Sequence, residues 1–149
     1  MYKKLFPLLF VVVASACGGG ATGQQETSVS ESEKLLREVI EGHDVAMPKM
    51  KKMERLQQEA KSAVDSIAGL PVAKQRASAN YKARLDSALT ALTYASDAMN
   101  EWMGGFKYDS FSNNEPERIK YLQAEKEKVT RMKDTVLGSL KRAEAVLGE

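Results

Sequence analysis

Apolar residues recur at alternating intervals of three and four along most of the chain, which is the spacing of long helices that bury one face. One such stripe covers residues 36–67, a second covers 81–106 and a third covers 119–147. Gly69–Pro71 and Gly104–Gly105 separate them, as glycine and proline do at helix ends. The pattern predicts an all-α fold in which three long helices share one core.

Short connections make successive helices run in opposite directions, so we expect an antiparallel, up-down-up three-helix bundle over residues 30–149. Ser30 and Asn114 are each followed three residues later by glutamate, which is typical of a capped helix start. The first helix is expected to break near Gly42 and Pro48, because a proline inside a helix removes a hydrogen bond.

Residues 1–16 have the pattern of a secretory signal peptide. Two lysines precede the apolar run Leu5–Val13, and the small residues Ala14–Ala16 follow it. An apolar run of nine residues is too short for a membrane span, which needs about 20 residues as a helix. The segment is therefore interpreted as a targeting signal and is excluded from the predicted domain.

Cys17 is the only cysteine and directly follows this signal, an arrangement that resembles the bacterial lipoprotein signal. Ala14 occupies the position where that signal usually carries leucine, so ordinary secretion is the alternative. Several acyl chains on Cys17 would hold the chain at a membrane stably. Residues 17–29 are rich in glycine and small polar residues and are expected to form a flexible tether. We expect a cell-envelope lipoprotein of the outer membrane, with its domain in the periplasm or at the surface.

The charge balance argues against nucleic acid as a partner. The chain has 22 basic and 20 acidic residues, and Lys3 and Lys4 leave with the signal peptide. The remaining 20 basic residues face 20 acidic ones, whereas nucleic-acid binding requires a net basic surface. The run Glu125–Lys128 is interpreted as a solvent-exposed helix face. Gln57 and Lys126 are expected at polar seam positions, where they reach solvent or form hydrogen bonds at the edge of the bundle.

Catalytic motifs are missing from the sequence. A single histidine rules out H-E-x-x-H, and Ile40 stands where a di-iron E-x-x-H motif ending at His43 would need glutamate. Phosphate-binding G-x-x-x-x-G-K and nucleophile G-x-S-x-G motifs do not occur. The sequence therefore predicts a protein that is not an enzyme and acts by binding, with an envelope protein as the expected partner.

The scarcest residues gather in two short segments that the antiparallel register should bring together. These residues are His43, Met47, Met50, Met99, Trp102 and Met103. Thioether and imidazole ligands suit Cu(I) and Ag(I), so one hypothesis is a soft-metal site in a periplasmic protein. The alternatives are core packing by methionine and an exposed groove that accepts a partner helix or an unfolded segment, as in a holdase or scaffold. The oligomeric state stays open.

The segments H-D-V-A-M-P-K-M (43–50) and M-N-E-W-M-G-G-F (99–106) resemble paired motifs of small helical lipoproteins from Bacteroidota. Those proteins often carry the label "viral A-type inclusion protein". The likeness extends over most of residues 30–148 and implies a lipidated protein with a helical domain. It implies no particular activity.

Overall fold

The computed structural model describes residues 29–148, and every regular element in that range is helical. The all-α class is therefore confirmed. The elements are α1 (Glu31–Ala46), a 3-10 turn (Met47–Lys49), α2 (Met50–Ala68), α3 (Val72–Ala77), α4 (Ala79–Gly105) and α5 (Glu115–Leu147). Within residues 29–148, no helix combines the length and the apolar character needed to cross a membrane. The predicted signal peptide, Cys17 and residues 18–28 of the tether lie outside the described residues.

The predicted break in the first helix is confirmed, and it lies at Pro48 and not at Gly42. Pro48 falls in the 3-10 turn between α1 and α2, where its missing backbone N–H is tolerated. The backbone N–H of Met50 donates to the carbonyl of Met47 and carries the chain into α2. Gly42 lies inside the unbroken α1.

Both predicted caps are present. The Ser30 hydroxyl accepts from the backbone N–H of Glu33, whose carboxylate accepts in return from the Ser30 N–H. The Asn114 side chain accepts from the N–H of Glu117 at 3.3 Å. The second predicted helix is interrupted at Ser78, so the segment after Pro71 forms the short α3 before α4 begins.

The three stripes supply the core, with three differences from the prediction. Tyr81 was expected on the seam but is 41% exposed, near the start of α4. Leu56 lies outside the predicted stripe and is fully buried. Lys126 was expected on the seam, but Glu125 is buried in its place. The main cluster comprises Val39, Ala46, Met53, Leu56, Ala88, Leu92, Ala95, Met99, Trp102, Val129, Met132, Val136, Leu140 and Ala143.

Polar contacts define which helices lie side by side. α1 packs mainly against α5, α2 mainly against α4, and α4 also packs along α5. The Gln57 amide of α2 donates to the Ser96 hydroxyl of α4 at 3.1 Å. Along α5, bonds join Ser32 to Glu115 (2.8 Å), Glu38 to Lys126 (2.7 Å) and Lys52 to Glu144 (2.5 Å). The start of α1 therefore lies beside the start of α5, and the start of α2 lies beside its end.

Gly42 marks a close approach of α1 to α5. A Cβ atom at this position would lie 3.0 Å from Cγ1 and 3.2 Å from Cγ2 of Val129, which is buried. A larger side chain here requires Val129 to give by a few tenths of an ångström. The glycine therefore suits the tight packing of α1 on α5.

We expect Gly42→Ala to destabilise the fold by about 1–2 kcal/mol, because overpacking a tight contact outweighs the gain in helix propensity. Gly138→Ala is the matched control: no atom lies within 4 Å of its Cβ position, so it should stabilise α5 by up to about 1 kcal/mol. Urea denaturation of both variants measures the difference. A Gly42→Ala protein as stable as Gly138→Ala would contradict the close approach, and adding Val129→Ala to Gly42→Ala should relieve the clash.

Candidate functional site

His43 and Trp102 meet in space although 58 residues separate them in the chain. Their ring centroids lie 5.6 Å apart with the planes tilted by 33°. Nδ1 of His43 lies 2.9 Å from Oδ1 of Asp44. Because a carboxylate only accepts, a neutral His43 ring in this arrangement carries its proton on Nδ1 and leaves a lone pair on Nε2.

Trp102 is held by a buried carboxylate that the sequence pattern did not indicate. Its Nε1–H donates to Oε2 of Glu125 at 3.1 Å, and the Lys128 ammonium donates to Oε1 at 2.7 Å. Glu125 is 3% exposed and Trp102 is 8% exposed. The expectation that the run Glu125–Lys128 is wholly solvent-exposed is therefore wrong for Glu125.

The spacing between Leu122 and Val129 explains this error. A stripe that alternates steps of three and four can pass through either residue 125 or residue 126. Lys126 instead reaches across the surface to Glu38 of α1, and Glu125 turns inward because the indole N–H of Trp102 offers it a partner. A buried hydrogen-bond donor on a neighbouring helix is not visible in the pattern of α5 alone.

The hydrogen bond from Lys128 to Glu125 raises the pKa of Lys128 above its ordinary value. Desolvation lowers this pKa in part, and the negative charge of Glu125 adds to the rise. Both carboxylate oxygens of Glu125 are occupied by donors. The group therefore joins α4 to α5 as a hydrogen-bond acceptor. This arrangement favours a structural role over proton transfer.

Aromatic side chains continue from Trp102 into the connection between α4 and α5. Phe106 stacks on Trp102 with centroids 4.9 Å apart and lies 6.2 Å from Tyr121. Phe111, which has a left-handed φ of 57°, also packs on Tyr121, with ring centroids 6.0 Å apart. The Tyr121 hydroxyl accepts from the backbone N–H of Lys107 at 2.7 Å. Residues 106–114, here named the aromatic loop, are thereby fixed against α5.

The aromatic loop and α1 line an open depression with a volume of about 910 Å³. Arg118 fixes its far wall, because one guanidinium nitrogen donates to the carbonyls of Tyr108 (3.2 Å) and Ser110 (3.0 Å). We name this depression the α1 groove. Its lining consists of Glu33, Leu36, Arg37, Ile40, Glu41, Asp44, Val45, Tyr108 and Arg118.

The candidate methionines divide into two environments. Met99 is fully buried in the main core cluster, as the core-packing hypothesis expects. Met47 is 43% exposed, Met103 is 37% exposed, and Met50 is half-buried at the edge of the core. Because Met99 and Trp102 lie inside the core, the predicted open groove along their shared face is closed. Among residues 29–148, no group of three or more histidine, cysteine, aspartate or glutamate side chains could hold a metal ion.

No protein-family model, curated protein or solved structure matches this chain. The function is therefore inferred from the residues, the bundle and its surfaces.

We expect Glu125→Leu to lower the free energy of unfolding by about 1–3 kcal/mol, because it leaves the buried indole N–H of Trp102 without a partner. Denaturation followed by Trp102 fluorescence measures this loss. Glu127→Leu is the control, since that side chain is 75% exposed and its replacement should change stability by no more than about 0.5 kcal/mol. Equal stability of the two variants would show that the Trp102–Glu125 bond contributes nothing.

Proposed function

We propose that this chain is a non-enzymatic lipoprotein of the cell envelope, and that its helical bundle acts by binding another envelope protein. The signal pattern, the single cysteine directly after it and the resemblance to small helical lipoproteins of Bacteroidota support lipidation of Cys17. Residues 17–29 then serve as the tether between the lipid and the bundle, with the outer membrane as the expected location.

We also propose the antiparallel, up-down-up topology for the bundle. Its support comes from paired contacts between helices. His43 contacts Trp102, whereas Gln57, further along the chain, contacts Ser96, which precedes Trp102. The residue numbers of the partners on α4 thus fall as the residue numbers on α1 and α2 rise. Along α5 they increase together, from Ser32 with Glu115 to Lys52 with Glu144.

The α1 groove is the observation that carries the binding proposal. α4 ends three residues after Trp102, about 5 Å further along its axis. In the same direction, α1 continues from His43 back to its start at Glu31, which is 12 residues or about 18 Å. At this end of the bundle, α1 and α5 continue without α4 beside them. The aromatic loop covers part of the vacated side, and the α1 groove is the part that it leaves open.

The chemistry of the α1 groove favours a partner segment with apolar and basic side chains. Apolar contacts are available from Leu36, Ile40, Val45 and Tyr108. Three carboxylates line the groove (Glu33, Glu41, Asp44), against the two guanidinium groups of Arg37 and Arg118. The Arg118 guanidinium already binds two backbone carbonyls. An apolar segment flanked by lysine or arginine would therefore complement the groove in both shape and charge.

A photo-reactive phenylalanine derivative at Val45 tests this proposal in the host cell. We expect it to cross-link one envelope protein through a segment that contains lysine or arginine. The same residue at Thr90, on the exposed side of α4, is the positional control and should give no such adduct. Glu41→Lys should abolish the Val45 adduct by charge repulsion, whereas Glu54→Lys on the surface of α2 should leave it intact.

Adducts with many unrelated proteins would favour the holdase alternative and contradict a single partner. Equal adducts from Val45 and Thr90, or an adduct insensitive to Glu41→Lys, would contradict the role of the α1 groove.

The lipid anchor has a separate test. We expect Cys17→Ser to move the chain from the membrane fraction to the aqueous fraction, because the acyl chains provide the membrane affinity. Thr22→Ser in the tether is the matched control and should remain in the membrane fraction. A Cys17→Ser protein that stays entirely in membranes would contradict anchoring through Cys17.

A further inference from the structure

The methionines that are not buried lie close in the sequence to the only histidine and the only tryptophan. Beyond Met1 the chain has six methionines. Met53, Met99 and Met132 are buried in the core, where packing fully accounts for them. Met47, Met50 and Met103 retain exposed surface, and packing explains them less well. Met47 and Met50 follow His43 directly, and Met103 follows Trp102.

α1, the 3-10 turn and α2 together are here named the first helical unit, and His43, Met47 and Met50 share one side of it. Met47 lies four residues after His43 and Met50 three residues after Met47, so consecutive members are neighbours on the helix surface. Met47 and Met50 line one open depression of about 530 Å³, together with Asp44, Pro48 and Lys51. The two thioethers are therefore accessible from the same side.

The register between α2 and α4 adds Met103 to this group. Gln57 of α2 bonds to Ser96 of α4. Met50 lies seven residues before Gln57, and Met103 lies seven residues after Ser96. Contacting residues on α4 fall in number as those on α1 and α2 rise. A step back along α2 from a contacting pair therefore faces an equal step forward along α4. Met50 and Met103 therefore belong to facing sides of the two helices at one level.

His43 is oriented as a metal-binding imidazole usually is. Its Nδ1 is held by the Asp44 carboxylate at 2.9 Å, which leaves the lone pair of Nε2 as the donor. Its ring lies against Trp102, whose π face attracts cations. One imidazole nitrogen with two or three thioether sulfurs is a donor set suited to soft monovalent metals and poorly suited to Mg²⁺ or Ca²⁺.

We propose that His43, Met47, Met50 and Met103 form a binding site for a soft monovalent cation, Cu(I) or Ag(I), beside the ring of Trp102. Met99 is not a ligand, since it is fully buried in the core. The site goes beyond the proposed function and uses none of the apolar lining of the α1 groove. Its occupation would tie the first helical unit to α4 next to the 3-10 turn.

Titration of the full chain with silver nitrate in chloride-free buffer tests the site. The Cys17→Ser background is required, because a free thiol would bind silver by itself. We expect quenching of the single Trp102 that saturates at one equivalent, with a matching rise in Tm. Met47→Leu and Met50→Leu should each weaken binding by at least about tenfold, since losing a ligand costs no less than losing its outer-shell partner. Calorimetry gives the same affinities without relying on Trp102.

Met132→Leu is the matched control, because it replaces a buried methionine in the core and should bind silver like the parent. His43→Gln should weaken silver binding to the same extent as Met47→Leu and Met50→Leu. The absence of any heat, quenching or Tm change at one equivalent would overturn the proposal, as would equal affinities for Met47→Leu, Met50→Leu and Met132→Leu. Photo-cross-linking from Val45 in a Met50→Leu chain distinguishes the two proposals, since partner binding there does not depend on the metal.

Discussion

The hydrogen bond from the indole of Trp102 to the buried carboxylate of Glu125 organises this end of the bundle. It ties the last turns of α4 to the first third of α5 and gives the buried indole N–H an acceptor. With the indole fixed, one side supports the ring of His43 and another stacks on Phe106. The Lys128 ammonium, which lies at the surface, donates a hydrogen bond to the other oxygen of the Glu125 carboxylate. Loss of this bond would release groups from three parts of the chain at once.

The end of α4 at Gly105 sets the shape of the surfaces around this network. Beyond that point the chain passes through the aromatic loop, whose stacked rings and backbone hydrogen bonds replace a further helical turn. The loop supplies apolar contact through Phe106 and Tyr108 but covers less of α1 than a helix would. The α1 groove therefore lies where α4 no longer shields α1.

Most of the fold could be predicted from the sequence, because its strongest signal is periodic and local. The alternating stripes indicated nearly all core positions, the glycines and proline marked the connections, and Ser30 and Asn114 marked two helix starts. The number of helices was less predictable, because no glycine or proline marks the interruption at Ser78. The stripes also could not distinguish Glu125 from Lys126, because both satisfy the spacing and only the position of the Trp102 N–H decides between them. For the candidate site, the predicted register brought His43 to the level of Trp102. The stripes placed Met50 and Met99 on the seam alike, although only Met99 is fully buried.

The 3-10 turn at Met47–Lys49 has an effect on the bundle as a whole. A 3-10 helix has 3.0 residues per turn against 3.6 in an α-helix, so three such residues rotate the following side chains by about 60° relative to a continuous α-helix. Before the turn the first helical unit packs mainly on α5, and after it mainly on α4. The rotation at Pro48 thus allows α1 to pack on α5 while α2, which follows directly, packs mainly on α4. The domain is better described as two successive helix pairs, sharing α5, than as three uniform rods.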